Sequence, residues 1–185
     1  MQDQHIELPS RRLLIAVVIA LLLALSSGFI ITSYLGTFTT VTAQQVNAPA
    51  YRIAYLNHTG AYNKIDATIK RVAAYLKEAN ITASSACALF YDDPSVVPME
   101  ELRSKVGFLV TPYDTVPPAL EIEEIPQREV VRVLFDGSTL IGSNKAYKAM
   151  KEWSVDHDYN LVLPSFEIYH EDNRTEYQLP IHKLP

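Results

Sequence analysis

Pro49-Ala-Tyr-Arg-Ile-Ala-Tyr-Leu-Asn-His-Thr-Gly60 lies over Pro126-Gln-Arg-Glu-Val-Val-Arg-Val-Leu-Phe-Asp-Gly137, proline on proline and glycine on glycine. Each block is a proline, a run of residues that favour extended backbone, and a glycine at the same distance. Further on, Leu89-Phe-Tyr-Asp-Asp93 lies over Glu167-Ile-Tyr-His-Glu171, with the tyrosine and the later acidic residue in register. A helix-like stretch falls between the paired blocks in both halves. The expected fold is α+β: duplicated β-β-α-β-β modules with pseudo-two-fold symmetry and a central cleft, preceded by one transmembrane helix. Two copies make a duplicated domain rather than a solenoid, which needs three or more repeats. A cleft between modules is where ligands bind.

Outward from the repeat, the modules span residues 38–112 and 119–185. In the first, Phe38 to Gln45 reads as a strand, Asn47-Ala-Pro49 as a turn, and Tyr51 to His58 as the second strand of a hairpin. Asn63 is the candidate cap of a helix with Ile65, Ile69, Val72 and Leu76 on its inner face. Strands at Ala86–Tyr91 and Lys105–Thr111 complete the module. The second repeats the plan: Ala119–Ile125, a turn at Pro126, and Arg128–Phe135. Its helix is capped by Ser143 with Ala146, Tyr147, Met150 and Trp153 facing inward, and strands follow at Ser165–His170 and Glu176–Leu179.

The segment before the modules is of another kind. Residues 13–31, Leu13 to Ile31, carry no charge and reach roughly 28 Å as a helix, close to a ~30 Å hydrocarbon core. Residues 1–12 form a short N-terminus and 32–37 a tether. Arg11 and Arg12 precede the span, and the next basic residue is Arg52. The positive-inside bias therefore places the N-terminus in the cytoplasm and the domain of residues 38–185 on the periplasmic or extracytoplasmic side, at the ER membrane in a eukaryote. A cleaved signal peptide ending near Val41-Thr-Ala43, a twin-arginine signal at Arg11-Arg12 and an inverted anchor are the alternatives; a retained signal-anchor is the reading adopted.

The 185 residues carry a formal charge of −5, which belongs to the part beyond the anchor because Asp3 and Glu7 cancel Arg11 and Arg12. That balance disfavours nucleic acid as a partner. The single cysteine, Cys87, excludes an internal disulfide and reads as a buried structural thiol. His58, His170 and His182 lack metal-ligand spacing, so no metal is expected, and no cofactor either. Asn57-His-Thr, Asn80-Ile-Thr and Asn173-Arg-Thr match the N-glycosylation pattern, which matters only in a eukaryotic secretory setting.

Strand alternation assigns faces. Val131, Val133 and Phe135 should meet the helix, and Phe166 and Ile168 with them. Arg132, Glu167 and Tyr169 are then expected on the opposite, concave side, with Tyr55, Leu89 and Tyr91 as their counterparts in the first module. A carboxylate among tyrosines on a sheet face is not what a plain core requires.

His58-Thr-Gly-Ala-Tyr62, Phe90-Tyr-Asp-Asp-Pro94 and Phe166-Glu-Ile-Tyr169 resemble the signatures of the GyrI-like domain, the effector-binding domain of multidrug-responsive regulators and gyrase-inhibitor proteins, related to SOUL haem-binding proteins. With its apolar N-terminal segment, Tyr91-to-Pro98 motif and Glu167-to-Asp172 motif, the chain is similar to the membrane-anchored, testis-expressed GyrI-like ER-phagy receptors. The resemblance implies a cleft for small, often cationic and aromatic molecules, with Glu167 as charge partner and Tyr169 and Tyr91 beside it. In some members that glutamate and a tyrosine hydrolyse small electrophiles, so Glu167, Tyr169 and Tyr91 are also the catalytic candidates. The regulators' DNA-binding helices have no match here, and neither does the receptors' long acidic tail. A docking pattern at Tyr159-Asn-Leu-Val162 lies before an expected strand.

Two readings of Glu167 stand side by side: an anchor for a cationic ligand among aromatic walls, or an internal ion pair with Arg132. The candidate ligand site is Glu167, Tyr169, Tyr91, Tyr55 and Arg132. The function expected is a membrane-anchored domain binding a small molecule in the inter-module cleft. The alternatives are a hydrolase of small electrophiles, a protein-interaction scaffold, or a receptor-like membrane protein with a protein partner.

Overall fold

The computed structural model describes residues 11–184. It contains α1 (Arg11–Tyr34), β1 (Gln44–Ala48), β2 (Tyr51–Thr59), α2 (Asp66–Glu78), β3 (Ala86–Phe90) and β4 (Arg103–Leu109). There follow β5 (Glu121–Ile125), β6 (Arg128–Asp136), α3 (Thr139–Asp156), β7 (Tyr159–Leu161), β8 (Ser165–Tyr169) and β9 (Arg174–Lys183). The charges at Asp3 and Glu7 lie outside the described residues.

All paired strands are antiparallel, in the order β1-β6-β9-β8-β3-β4-β2-β5, with β7 added beside β9. The hairpins expected from sequence do not form. β1 pairs with β6 rather than β2, and β5 pairs with β2 rather than β6, so each half lends its first strand to the other. The links are too stiff for hairpins. A two-residue hairpin needs positive φ at its first central residue, and proline holds φ near −65°. Pro49-Ala50 and Pro126-Gln127 therefore cross over.

These crossovers curl the sheet. β5 and β6 stand six strand steps apart, as do β1 and β2, which would be about 29 Å in a flat sheet at ~4.8 Å per strand. Three Cα steps from Ile125 to Arg128 span at most ~11 Å. The two edges must therefore approach each other. Contacts across the hollow agree: the Tyr51 ring on β2 meets Phe166 on β8 at 5.3 Å between centroids. Gln178 Nε2 on β9 donates to Tyr51 Oη at 3.0 Å.

The helices cover the convex face. Under α3 lie Val131, Val133, Phe135, Tyr177 and Leu179 with Ala146 and Met150. Under α2 lie Ala54, Val72 and Leu76, and next to them Ile65, Ala88, Phe90 and Val106. The expected inner faces of both helices are in place. Their starts differ: a short turn at Tyr62–Lys64 leads into α2 without a side-chain cap, and α3 begins after Ser138. Ser143 instead donates to the Thr139 carbonyl at 2.8 Å.

α1 is 24 residues long with none buried, and is apolar enough to span a bilayer, a test that a signal sequence also passes. The segment after it is seated on the domain. Gly36 and Gly137, both at positive φ, meet where a Cβ on Gly137 would come within 3.1 Å of Gly36 Cα. Lys145 of α3 donates to the carbonyls of Gly36, Thr37 and Thr39. Strand structure starts at Gln44, later than the Phe38 expected from β-branched content. Tyr159–Leu161, within the docking pattern seen in the sequence, is committed to pairing with β9.

Candidate functional site

The side chains gathered from sequence divide between the two faces of the sheet. Tyr55, Tyr91 and Arg132 face the concave side. Glu167 and Tyr169 face the helices, and Phe166 and Ile168 face the hollow, the reverse of the sequence expectation. The apolar Phe166 and Ile168 fit either buried face, and the overlay of Glu167 on Leu89 is one residue out of register. β3 and β8 pair with Ala88 opposite Glu167 and Ala86 opposite Tyr169. Glu167 therefore shares the helix-side face with Ala88, whereas the sequence overlay matched it with Leu89, which faces the hollow. A one-residue slip moves every side chain to the other face.

On the convex side Glu167 is almost fully enclosed. The Tyr147 hydroxyl, from α3, donates to Oε1 at 2.8 Å, and the Tyr169 hydroxyl to Oε2 at 2.9 Å. Tyr147 Oη also shares a hydrogen bond with Ser165 Oγ at 2.9 Å, and its ring meets Tyr177 at 5.9 Å. Burial raises the Glu167 carboxyl to about 7, against the pull of the two tyrosine hydrogen bonds. The same enclosure, with the carboxylate charge beside them, holds the Tyr147 and Tyr169 phenols well above their usual value. Arg132 is not the partner of Glu167. It lies on the other face, 3.8 Å from Glu176 Oε1.

The concave face has an apolar floor of Ile53, Cys87, Leu89, Phe166 and Ile168, each at most 2% exposed, with the Tyr51 ring packed on Phe166. Burial pushes the Cys87 thiol far above its ordinary pKa, as befits a structural residue. Above the floor stand two polar groups. In the first, Lys105 Nζ pairs with Glu123 at 2.6 Å and lies over the rings of Tyr55 and Tyr91, 4.7 and 5.6 Å from their centroids. Tyr55 Oη donates to Glu121 at 2.8 Å. Burial alone would lower the Lys105 pKa, but the bond to Glu123 and the tyrosines raises it on balance. In the second, Glu176 accepts from Gln178 Nε2 at 2.8 Å and lies 3.8 Å from both Arg132 and His170. Tyr51, Lys105, Glu123, Arg128 and Gln178 escaped the sequence reading. Their shared face depends on pairing between distant strands; only their alternation was available to find them.

The other motif residues build turns. Asp92 pairs with Arg103 at 2.7 Å and accepts its backbone N–H at 2.8 Å, while Asp93 accepts from Ser95 N and Oγ. Tyr62 accepts the Asp92 N–H at 3.0 Å and packs on Phe90. His58 Nδ1 lies 3.2 Å from Thr68 Oγ1. Among the described residues no group of three His, Cys, Asp or Glu could hold a metal ion.

A curled antiparallel sheet with two helices on its outer face and an aromatic hollow defines a class of small-molecule-binding domains. The chain belongs to the GyrI-like family: the model of the GyrI-like small molecule binding domain matches residues 43–182. No curated protein matches. Among solved structures, the EcmrR C-terminal domain superposes with a TM-score of 0.64 at 18% identity, covering 78% of this chain and 99% of that one. EcmrR in its DNA complex within EcmrR-RPo gives 0.65 at 17% identity, over 94% of this chain and 70% of that one. SAV2435 bound to tetraphenylphosphonium gives 0.51 at 10% identity, over 76% and 93%. At these identities the likeness is one of fold.

Proposed function

We propose that this is a membrane-anchored binding protein whose small-molecule ligand enters the concave side as Tyr51 moves off Phe166, laying its aromatic body on Leu89, Phe166 and Ile168 between Tyr51 and Tyr91. The observation that carries this reading is a buried apolar cluster topped by half-buried tyrosines and charged groups on the face opposite the helices, within a family of small-molecule binders. α1, retained as a signal-anchor, keeps the domain beside the bilayer on the extracytoplasmic side.

Titration of a naphthalene probe into the full chain in nanodiscs tests it. Tyr51→Ala and Tyr91→Ala should each weaken binding about fivefold, at ~1 kcal/mol for an aromatic contact. Ala73→Trp, which places an indole in the open depression beside α2, should leave binding unchanged. The opposite pattern would move the site to the helix side.

A second reading takes a lipophilic cation to Glu167. It is favoured by the single carboxylate ringed by Tyr147, Tyr169 and Tyr177, and by the tetraphenylphosphonium bound to SAV2435. Both carboxylate oxygens already accept a tyrosine hydroxyl, so this site opens only if Tyr147 swings out with its turn of α3. Cation binding abolished by Glu167→Gln and strengthened by Tyr147→Ala would establish it. The hydrolase alternative needs the same opening before Glu167 could act as base.

A further inference from the structure

The concave face holds one guanidinium edge that no described residue answers. Arg128 opens β6 and shares the hollow with Val130 and Arg132. Its Nε and Nη2 atoms are shut off from solvent, yet among the described residues neither has a hydrogen-bond partner, and the side chain makes no ion pair. Buried donors are rarely left so. Glu123, the carboxylate whose field acts on Arg128, is engaged with Lys105 at 2.6 Å. Glu176 is shared by Arg132, His170 and Gln178. Burial draws the Arg128 pKa below the ordinary guanidinium value, and Glu123, Tyr51 and Tyr91 offset this in part.

One acceptor in the same hollow is also unanswered. Gln178 Oε1 is buried without a partner. Its amide cannot simply turn over, because Nε2 donates to Glu176 Oε1 at 2.8 Å and a flip would set oxygen against carboxylate. The same Nε2 donates to Tyr51 at 3.0 Å. Tyr51 thus connects the two open groups, bonded to Gln178 and within the field of Arg128.

The Nε–Nη2 edge is a two-donor fork that matches the paired oxygens of a carboxylate or phosphate. We propose that the ligand of the hollow is an organic anion that enters as Tyr51 moves aside, its carboxylate or phosphate seated on the Nε–Nη2 edge of Arg128 and an N–H or O–H of the same molecule donating to Gln178 Oε1. This rests on the concave site being the binding site. The group comes either from a soluble aromatic acid or from a phospholipid headgroup, since α1 sets the domain at a membrane.

The test is calorimetric titration of the full chain in phosphatidylcholine nanodiscs with 1-naphthoate, 1-naphthyl phosphate and 1-naphthylmethylammonium. The anions should bind at least tenfold more tightly than the cation. Arg128→Gln should lose that tenfold without a fall in melting temperature, because it removes an unanswered charge, and the remote Lys148→Gln should change nothing. Arg128→Lys should recover only part of the affinity, since lysine lacks the two-donor edge; full affinity there would overturn the fork. Discs containing phosphatidic acid separate the sources: suppressed probe binding assigns the site to headgroups, and undiminished binding assigns it to soluble acids. Equal affinity for cation and anions, or anion affinity untouched in Arg128→Gln, would overturn the inference while leaving the concave site standing. Failure of all three probes would sink both.

Discussion

Replacing Glu167 by glutamine should make the domain more stable at alkaline pH and change how its stability responds to pH. In the unfolded chain this carboxyl titrates near 4.5, and in the fold burial raises it to about 7. Between those values the folded state holds a proton that the unfolded state has released, so stability falls as pH rises. The contribution of the protonated carboxyl is fully present below 4.5 and lost as pH climbs through about 7. At about 1.36 kcal/mol per pH unit, the interval is worth roughly 3 kcal/mol. Glutamine does not titrate, and its carbonyl keeps one tyrosine hydroxyl as donor. Urea unfolding of the domain from Ser33 onward, wild type and Glu167→Gln, at intervals from pH 4.5 to 8.5, measures the difference; other titrating groups cancel between the two proteins. The wild type should lose roughly 3 kcal/mol relative to the variant across that range, most of it between pH 5 and 7. Tyr147→Phe removes a hydrogen bond that holds the pKa down, so it should extend the decline above pH 7. Parallel profiles for wild type and Glu167→Gln would refute an enclosed, raised carboxyl and the α3 contact that encloses it.

Lys145→Met should lower the stability of the domain by about 1–3 kcal/mol, the value of charged hydrogen bonds to carbonyls, and a chain beginning at Thr40 should show the same loss; equal urea midpoints would mean that residues 36–39 are not seated. Gly107→Ala should cost at least about 3 kcal/mol, because a Cβ there would stand 2.0 Å from the Ala54 carbonyl oxygen, and an unchanged unfolding midpoint would count against this strand geometry. A C-terminal alkaline phosphatase fusion should be active and a C-terminal green fluorescent protein fusion dark, and the reverse pattern would invert the topology read from Arg11 and Arg12.

What the sequence made legible was local. The helix faces at Ile65, Val72, Leu76 and at Ala146, Met150 follow from a 3.6-residue period within one element, and they are buried as that period requires. Which strand pairs with which is decided by residues far apart in the chain: β1 meets β6 some eighty residues on. Even so, the prolines at 49 and 126 carried the answer, since neither allows the tight turn that a hairpin demands. The position of Glu167 was lost for a different reason. Phe166 and Ile168 are apolar and suit the helix side, but both faces of β8 are buried, so hydrophobicity does not tell the faces apart. Only the pairing of Ala88 with Glu167 decides that question.

The crossovers also explain why the hollow has the contents it has. Tyr51 stands two residues after Pro49, and Arg128 two residues after Pro126, so the two-residue links deliver one residue of each half to equivalent places at the mouth of the curl. Two further residues of each half follow on the same face: Ile53 and Tyr55 from β2, Val130 and Arg132 from β6. β2 and β6 each follow a proline link and differ in the side chains they place on the concave face. The first supplies aromatic surface at Tyr51 and Tyr55, and the second supplies guanidinium groups at Arg128 and Arg132. Lys105 adds a charge beside the Tyr55 ring, and Glu176 adds one beside Arg132. β2 thus lines the concave side with aromatic rings and β6 lines it with guanidinium groups. Gln178, bonded to Tyr51 from β9, ties the walls together.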